Sequence, residues 1–296
     1  MNNTANPFRF GSKARTLEHL APVLTSARLC LQIVVPADRW QADPVPLIDE
    51  IVKAFAPRLL AVRSSSVDED QVGQSNAGAY LSVISVEPNA ETVTDAIDRV
   101  FASYASDGDG QEVLVQPMVE NVALSGVVMT RDLDSGAPYY VINYDDVSGR
   151  TDTVTGGAIS KTVAVHRSNP GALTSPRMRA IIDAARELET LTGMEELDIE
   201  FCVTDQTELF VLQVRPLAMK LKWEPLADSI IDDAIDQIRD DLAWRMTPQD
   251  GLAGRTTLLG EMPDWNPAEM LGNGRPDDFL LVFGQFHVHY AAEGIL

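Results

Sequence analysis

The chain has 296 residues, of which 45% are hydrophobic, so it can bury a sizeable core, and its length favours one large domain of several subdomains or two domains. Its 44 acidic residues outnumber its 23 basic residues, and the resulting net charge of -21 repels nucleic-acid backbones and anionic lipid headgroups. We therefore expect neither nucleic acid nor a membrane as a partner, although local cations and a metal ion can still hold a nucleotide in one cleft.

The start of the chain and its two cysteines predict a cytoplasmic protein. The N-terminal segment has no basic stretch followed by an apolar run of signal-peptide length, and no later segment reaches the roughly 18 apolar residues of a membrane span. Cys30 and Cys202 each lie inside an apolar stretch, without the clustering typical of a zinc site or a disulfide framework. We expect both thiols to be buried and reduced.

The first third of the chain alternates between helix and strand. Residues 17–24 and 47–55 place Leu, Ile, Val and Phe at helical spacing. Short, branched, apolar runs at residues 29–35 and 59–62 predict buried strands. A further helical face extends over residues 93–104.

The middle of the chain continues as strands and one long helix. Strands are predicted at residues 113–115, 125–130 and 139–143. A helix follows over about residues 176–191, and Gly193 is a plausible C-cap because glycine adopts the left-handed conformation that ends many helices.

A polar face is predicted on the hairpin at residues 197–216. A tight turn near residues 206–207 would set Glu200 directly across from Gln213, and Arg215 shares the face of Gln213 because side chains alternate along a strand. A merely solvent-exposed face would explain this pattern equally well. The opposite face of the first arm is apolar, and the polar face of that arm carries Asp198, Glu200 and Cys202.

The segment from about residue 226 to residue 245 is strongly acidic and helical in pattern. We interpret it as a linker or docking helix whose acidic residues form a solvated face and hold no metal.

The segment at residues 62–83 contains the most specific motif. It reads VRSSSVDEDQVGQSNAGAYLSV, with an Arg-Ser-Ser run, a Glu-Asp pair and a Ser-x-Ala-Gly loop between two strands. This order and spacing resemble the N-terminal domain of phosphoenolpyruvate synthase and pyruvate phosphate dikinase. Three further blocks resemble the same family in the right order, and the resemblance covers roughly residues 8–218: FGSKARTLEHL, VLVQPMVENVALSGVVMTRD, and LDIEFCV to FVLQVRPLA.

The resemblance implies an α/β (α+β) fold of the ATP-grasp type, with ATP as substrate. Residues 1–112 would form one or more N-terminal subdomains and residues 113–220 the C-terminal subdomain, with the nucleotide in the cleft between them. Residues 221–296 would form an acidic helical extension, or the truncated start of a further domain.

The resemblance implies that two cationic side chains and one loop of small residues hold the phosphates. Lys13 follows a Gly-Ser turn that resembles the Gly-Gly-Lys turn of the family, where an ammonium group pairs with phosphate charge. Arg63 offers a planar fork for two phosphate oxygens, and the resemblance places it on the transferring phosphates. A surface lysine, an arginine paired with a nearby acid and an ordinary turn are the plainer alternatives. The loop expected to close over the triphosphate contains Ser75, Ala77 and Gly78.

The block at residues 113–132 is implied to contact the adenine ring and the phosphates. In the family, the stretch matching Gln116, Met118 and Val119 hinges against the adenine, and apolar neighbours and backbone amides suit a flat heterocycle. Thr130 and Arg131 would face the phosphates. A plain strand end and ordinary core packing are the alternatives.

The hairpin is implied to hold the metal and the transferring group. Glu200 and Gln213 would supply the oxygen ligands that Mg²⁺ (or Mn²⁺) prefers, with phosphates and water completing the shell. Arg215 would stabilise charge on the transferring phosphoryl group, so Arg63 and Arg215 are the predicted catalytic residues.

Enzymes of this family pass the phosphoryl group to a histidine on a swivelling domain and then to a small acceptor. The four histidines of this chain, His19, His166, His287 and His289, lack the Thr/Ser-His context of that carrier. We therefore expect a histidine-bearing domain in cis or in trans as a partner. The rival interpretations are a regulatory module that holds ATP without transferring it, and a structural domain with a degenerate site.

Two departures from the family pattern leave the acceptor open. The sequence NYDDVSGRTDTVTGG stands where the family has a Gly-Leu-Gly-Glu-like turn, and Ser12 replaces the second glycine of the Gly-Gly-Lys turn. Residues 262–270 are similar to a segment of the glutamine kinase-like branch, which suggests that the acceptor is an amide or another small metabolite instead of pyruvate.

Overall fold

The computed structural model of the protein describes seven stretches of the chain, which form two compact units, Met1–Pro225 and Leu226–Leu296. The larger unit contains two β-sheets and five α-helices among its described residues, which makes it a mixed α/β fold, as the sequence predicts. The described stretches are residues 8–66, 81–104, 110–148, 161–219, 228–247, 256–258 and 288–290.

The first sheet has four antiparallel strands in the order β2-β5-β3-β4. Its strands are β2 (Ile33–Pro36), β3 (Leu60–Ser65), β4 (Ser82–Val86) and β5 (Glu112–Pro117). Three helices belong to the same part of the chain: α2 (Ala37–Ala42), α3 (Val45–Phe55) and α4 (Ala90–Ala102).

Local features of the sequence explain where the helices beside this sheet begin and which face each of them buries. The α3 helix has proline in its first turn, where the missing N–H costs no hydrogen bond. The α4 helix begins at Asn89, whose side chain accepts a hydrogen bond from Thr92 N at 3.1 Å. The apolar faces of α3 and α4 are buried with the strands in one core that includes Ile51, Phe55 and Ile97.

The second sheet has six strands in the order β1-β10-β9-β6-β7-β8, and only the β1–β10 pair among them is parallel. Its strands are β1 (Arg28–Leu29), β6 (Val122–Met129), β7 (Tyr139–Asp145), β8 (Lys161–His166), β9 (Leu197–Thr204) and β10 (Leu209–Pro216). Associated with it are α1 (Lys13–Leu20), α5 (Pro176–Thr192) and a short 3₁₀ turn at Pro170–Ala172.

The long helix α5 confirms the prediction made for residues 176–191. Its N-cap Ser175 accepts a hydrogen bond from Met178 N, and Gly193 ends it in the left-handed conformation with φ of 68°. Glycine adopts this conformation without the steric cost of a Cβ atom. The inward face of α5, including Ile182 and Leu188, is buried in the second core.

The two faces of the six-stranded sheet differ in chemistry. Ile199, Phe201 and Val203 on β9 belong to the hydrophobic core that includes α5. Because side chains alternate along a strand, Asp198 and Glu200 face the other way. This polar face positions the candidate site.

The register of the β9–β10 hairpin confirms the sequence prediction. Gln213 lies directly opposite Glu200, and Arg215 lies opposite Asp198, with an irregularity in the ladder just before Gln213. Directly paired residues of antiparallel strands project to the same face, so these four side chains form one polar group.

The prediction of a single strand at residues 29–35 is wrong. The stretch supplies two strands to different sheets, β1 beside β10 and β2 beside β5. The N-terminal boundary expected after residue 112 falls inside β5, which pairs with β2 and β3 in the four-stranded sheet. After β5 the chain returns to the six-stranded sheet at β6, so residues 118–121 connect the two sheets.

The smaller unit contains one described helix, α6 (Asp228–Arg245), and two short antiparallel strands, β11 (Thr256–Leu258) and β12 (Val288–Tyr290). The charged residues of α6 are largely exposed, as predicted for a solvated face, but Ile238 and Trp244 are also exposed by 58% and 59%. Within the described part of the chain, none of the helices is both long and apolar enough to cross a membrane.

Candidate functional site

Arg63 connects the two sheets through a partly buried ion pair. It lies on β3 of the four-stranded sheet, and its Nη2 donates to Glu200 Oε2 at 2.7 Å, while its Nη1 donates to the carbonyl of Leu212 at 3.3 Å. The side chains of Arg63 and Glu200 are only 16% and 20% exposed, so water screens their attraction less than it would on the surface. Two predicted site residues 137 positions apart are thus in direct contact.

Lys13 is buried at the start of helix α1, although a lysine is usually a surface residue. Its Nζ donates to the carbonyl of Ser64 at 3.4 Å, and the neighbouring amide of Ala14 donates to Ser65 Oγ at 2.9 Å. The Ser-Ser run after Arg63 therefore fixes the N-terminus of α1 beside β3. The helix dipole and the ammonium group both add positive charge at this point.

Asp198 and Arg215 form a second ion pair on the hairpin. The Arg215 Nε and Nη2 atoms donate to Asp198 Oδ2 at 2.9 and 2.7 Å. Sequence analysis did not assign a role to Asp198. The available signal was the spacing of two residues between Asp198 and Glu200, which predicts that both carboxylates share the polar face of β9.

The two carboxylates on β9 have pKa values shifted in opposite directions. Burial alone would raise the pKa of Glu200, but the positive charges of Arg63, Lys13 and Arg215 and the hydrogen bond from Arg63 lower it. Burial raises the pKa of Asp198, and the charge of Arg215 only partly offsets this effect. Glu200 is therefore held as a carboxylate within a positively charged cluster, which we call the Arg63–Glu200 cluster: Lys13, Arg63, Asp198, Glu200, Gln213 and Arg215.

The donor set of this cluster fits a magnesium ion. Glu200 supplies a carboxylate and Gln213 an amide opposite it, and both are hard oxygen ligands. Asp198 Oδ1 is buried and has no hydrogen-bond partner among the described residues, so a further oxygen lies beside the pair. The described residues include no group of three or more acidic, histidine or cysteine side chains that could hold a metal without help. Such a site suits a metal that is shared with a ligand's phosphates.

A cavity of about 400 Å³ lies where the connection between the sheets meets the β9–β10 hairpin. Met118 and Val119 line it, together with the apolar side chains of Leu29, Leu31 and Phe210. Cys30 and two arginines, Arg28 and Arg58, also contribute to the lining. The lining is chemically mixed, because polar and acidic side chains that include Glu120, Asp205 and Glu208 accompany the apolar ones.

Gln116 is not among the residues that line this cavity, and its contact with the adenine stays a prediction. Its side chain is buried on β5 and its Nε2 lies 3.5 Å from Gln32 Oε1. Gln32 Nε2 in turn donates to the carbonyl of Ala14 in α1 at 2.9 Å. Gln116 therefore helps to fix the start of α1, and alternation along β5 explains why it points away from Pro117 and the connection.

Thr130 and Arg131 have protein partners at the start of β9. The Thr130 hydroxyl donates to the carbonyl of Glu195 at 2.5 Å and accepts from Leu197 N at 2.7 Å. The Arg131 Nη2 donates to Glu195 Oε2 at 2.7 Å and its Nη1 to the Gly136 carbonyl at 3.4 Å. These hydrogen bonds within the protein occupy the Thr130 hydroxyl and both Nη atoms of Arg131. A contact of either residue with the phosphates stays a prediction.

The predicted phosphate loop with Ser75, Ala77 and Gly78 lies outside the described residues. The structure therefore brings together the predicted residues Lys13, Arg63, Glu200, Gln213 and Arg215 at one place, and Met118 and Val119 at the cavity.

The fold and site thus define a mixed α/β domain with a charged cluster between two sheets. Residues 43–108, which include β3 and Arg63, match the family described as pyruvate phosphate dikinase, AMP/ATP-binding domain. The match covers 66 of the 296 residues. No curated protein matches the chain.

Several solved ligase and synthetase structures are similar in fold. D-alanine-D-alanine ligase from Coxiella burnetii is 13% identical, with 78% of this chain and 59% of that chain covered and a TM-score of 0.42. The D-Ala:D-Ser ligase VanG from Enterococcus faecalis is 15% identical, and the match covers 72% of this chain and 55% of VanG with a TM-score of 0.40. The N5-carboxyaminoimidazole ribonucleotide synthetase purK, in its ADP complex, is 12% identical. The match covers 74% of this chain and 46% of that chain, with a TM-score of 0.42. The chain thus spans about half of the length of these three proteins.

Proposed function

We propose that the chain is the ATP-binding half of a phosphotransferase resembling phosphoenolpyruvate synthase and pyruvate phosphate dikinase. The observation that carries the proposal is the Arg63–Glu200 cluster. Four charged residues from three separate blocks of the family resemblance, Lys13, Arg63, Glu200 and Arg215, act on one another in the structure. The family match over residues 43–108 adds independent support for an adenine nucleotide.

The nucleotide would lie along the β10 strand. Its base fits the cavity beside Met118 and Phe210, and its phosphates fit the cations of the cluster near Arg63 and Arg215. Phe210 and Arg215 are about 17 Å apart if each residue of a strand advances the chain by about 3.4 Å. This separation suits the two ends of a nucleoside triphosphate.

Glu200 and Gln213 would hold Mg²⁺ or Mn²⁺ together with phosphate oxygens. When bound, such an ion neutralises charge on the transferring phosphoryl group. Lys13 and Arg63 would bind and orient the phosphates, and Arg215, oriented by Asp198, would stabilise charge as the phosphoryl group leaves.

The phosphoryl group would pass to a histidine of a partner domain, in cis or in trans, and then to a small acceptor such as pyruvate or the amide of glutamine. We seek the carrier on a partner domain, because His19, His166, His287 and His289 lack the Thr/Ser-His context of the carrier histidine in the family. We place this activity in the cytoplasm.

Titration calorimetry of the purified chain with ATP, with and without Mg²⁺, tests the nucleotide site. We expect binding that Mg²⁺ enhances and that Glu200→Ala weakens. Arg99→Gln is the control, because Arg99 is an exposed arginine on α4 that pairs only weakly with Asp95. Absence of ATP binding under both conditions would contradict the proposal.

A transfer assay separates a phosphotransferase from a module that only holds ATP. The chain is incubated with ATP labelled in its terminal phosphates and with a histidine-bearing domain of the family. Label on the histidine supports transfer, whereas tight ATP binding without any label favours the regulatory module.

A further inference from the structure

The contact between Arg63 and Glu200 has a consequence for the form in which the nucleotide binds. We propose that the Arg63 guanidinium competes with the metal for Glu200, so that the site takes the metal–nucleotide complex and selects against both the free metal ion and the free nucleotide. This inference rests on the proposed function and identifies Arg63 as the residue that determines this specificity.

Geometry makes the two contacts of Glu200 mutually exclusive at one oxygen. The Arg63 Nη2 atom is 2.7 Å from Glu200 Oε2. A magnesium ion bound to the same oxygen would lie about 2.1 Å from it and would need its own shell of oxygen ligands. A cationic guanidinium in that shell donates hydrogen bonds and offers no lone pair, so it both repels the metal and occupies its space.

Charge adds to this competition. Lys13, Arg63 and Arg215 all act on Glu200 with positive charge. A free divalent cation entering this group meets three cations, and at Glu200 Oε2 it also competes with Arg63. An opposite charge at this distance shifts the proton affinity of a carboxylate by about 1 to 3 pKa units, and metal binding to the same carboxylate is opposed in the same way.

A triphosphate removes the conflict because it supplies acceptors for both cations. Its oxygens replace Glu200 as partners of Arg63, and the metal replaces Arg63 as the partner of Glu200. Free nucleotide fails for the opposite reason: if Arg63 turns to the phosphates, Glu200 remains near them as a partly buried negative charge that has lost its ion-pair partner. The exchange of partners is complete only when metal and nucleotide enter together.

The test measures Mn²⁺ binding by electron paramagnetic resonance in the absence of nucleotide. The variant Arg63→Met removes the charge, keeps a long side chain and adds no oxygen ligand. We expect it to bind Mn²⁺ about tenfold more tightly than the wild type or more. The control Arg99→Gln removes one positive charge from the exposed surface of α4 and leaves Mn²⁺ binding unchanged. The double variant Arg63→Met/Glu200→Gln loses the gain.

The reciprocal variant covers the case in which Arg63→Met does not fold. Glu200→Gln frees Arg63 from its ion pair, so metal-free ATP, measured by calorimetry in the presence of a chelator, should bind several-fold more tightly than to the wild type. The same variant should lose the enhancement by Mg²⁺.

The outcomes separate this inference from the proposed function. If wild type and Arg63→Met bind Mn²⁺ equally, or if Glu200→Gln binds metal-free ATP no better, the competition is refuted while Mg-ATP binding by the wild type stands. If the wild type binds no ATP with or without Mg²⁺, the proposed function itself fails.

Discussion

Arg215 and Asp198 face each other across the β9–β10 hairpin, and both the Nε and the Nη2 atoms of the arginine donate to the same oxygen, Asp198 Oδ2. The other carboxylate oxygen is buried. Two hydrogen bonds to one acceptor fix the plane of the guanidinium, so Arg215 is oriented before a substrate arrives. This arrangement suits a group that acts on charge developing in a transition state, because no reorganisation is then needed.

Arg215→Ala should reduce phosphoryl transfer to the carrier histidine at least about 100-fold, because a preoriented donor to the developing charge is lost. Binding of Mg-ATP should change much less, since Lys13 and Arg63 still hold the phosphates. Single-turnover transfer and calorimetric binding measure the two effects separately. Full turnover by Arg215→Ala would show that Arg215 has no catalytic role.

Asp198→Asn should lower kcat for transfer and leave KM for ATP nearly unchanged, because Asp198 positions Arg215 and is not proposed to contact the phosphates. The neutral amide still accepts one hydrogen bond, so the loss should be smaller than that of Arg215→Ala. If Asp198→Asn instead raised KM alone, or if its effect added fully to that of Arg215→Ala, the positioning role would be wrong.

Glu187 on α5 should make the fold sensitive to acid. Burial alone would raise its pKa, but hydrogen bonds from the side chains and backbone amides of Ser26 and Thr25 lower it to about 2, from 4.5. A carboxyl whose pKa is depressed in the folded state stabilises the fold above the unfolded pKa, and this contribution is lost as pH falls from about 4.5 towards 2.

Urea unfolding of Glu187→Gln tests this linkage. At pH 7 the variant should be less stable than the wild type by about 1 kcal/mol, a value that already allows for solvent screening. At pH 3 the difference should shrink. Asp183→Asn, an exposed acid on the same helix, serves as the control. A difference that stayed constant from pH 7 to pH 3 would show that the charge of Glu187 is irrelevant.

The cysteines should react slowly, and nucleotide should protect one of them. Burial raises the pKa of Cys30 to about 11 and that of Cys202 to about 12, so little thiolate exists at pH 7.5. Cys30 lines the cavity assigned to the base. In a Cys202→Ser background, Mg-ATP should slow the reaction of Cys30 with a disulfide reagent, which is followed by absorbance. Equal reaction rates with and without saturating Mg-ATP would show that the base does not bind in this cavity.

Sequence patterns predicted the hairpin best, because strand alternation and one turn position fix which residues share a face. That logic yielded the Glu200–Gln213 pairing. It failed at residues 29–35, where one apolar run is divided between two sheets, since periodicity carries no information on which sheet a strand joins. The ion pair between Arg63 and Glu200 is a long-range contact, and only the folded arrangement of the two sheets reveals it.

Gly126 should be essential to the part of the sheet next to the site. It lies on β6 opposite Tyr144 of β7, and a Cβ atom at this position would overlap the backbone carbonyl of Asn143 and crowd Tyr144. The conflicting atoms belong to the backbone, so they cannot move aside as a flexible side chain would, and the strands must separate.

Gly126→Ala should therefore cost about 1 to 3 kcal/mol in the free energy of unfolding, measured with urea. Gly171→Ala is the matched control, because a Cβ atom there meets only Asn169 Oδ1 at an ordinary distance of 3.8 Å. Since β6 pairs with β9 on its other side, with Val127 opposite Glu200, separation of the strands should also disturb the carboxylate that we propose as a metal ligand. We expect Gly126→Ala to weaken Mg-ATP binding as well as stability. Wild-type stability in Gly126→Ala would mean that β6 and β7 lie farther apart than the structure places them.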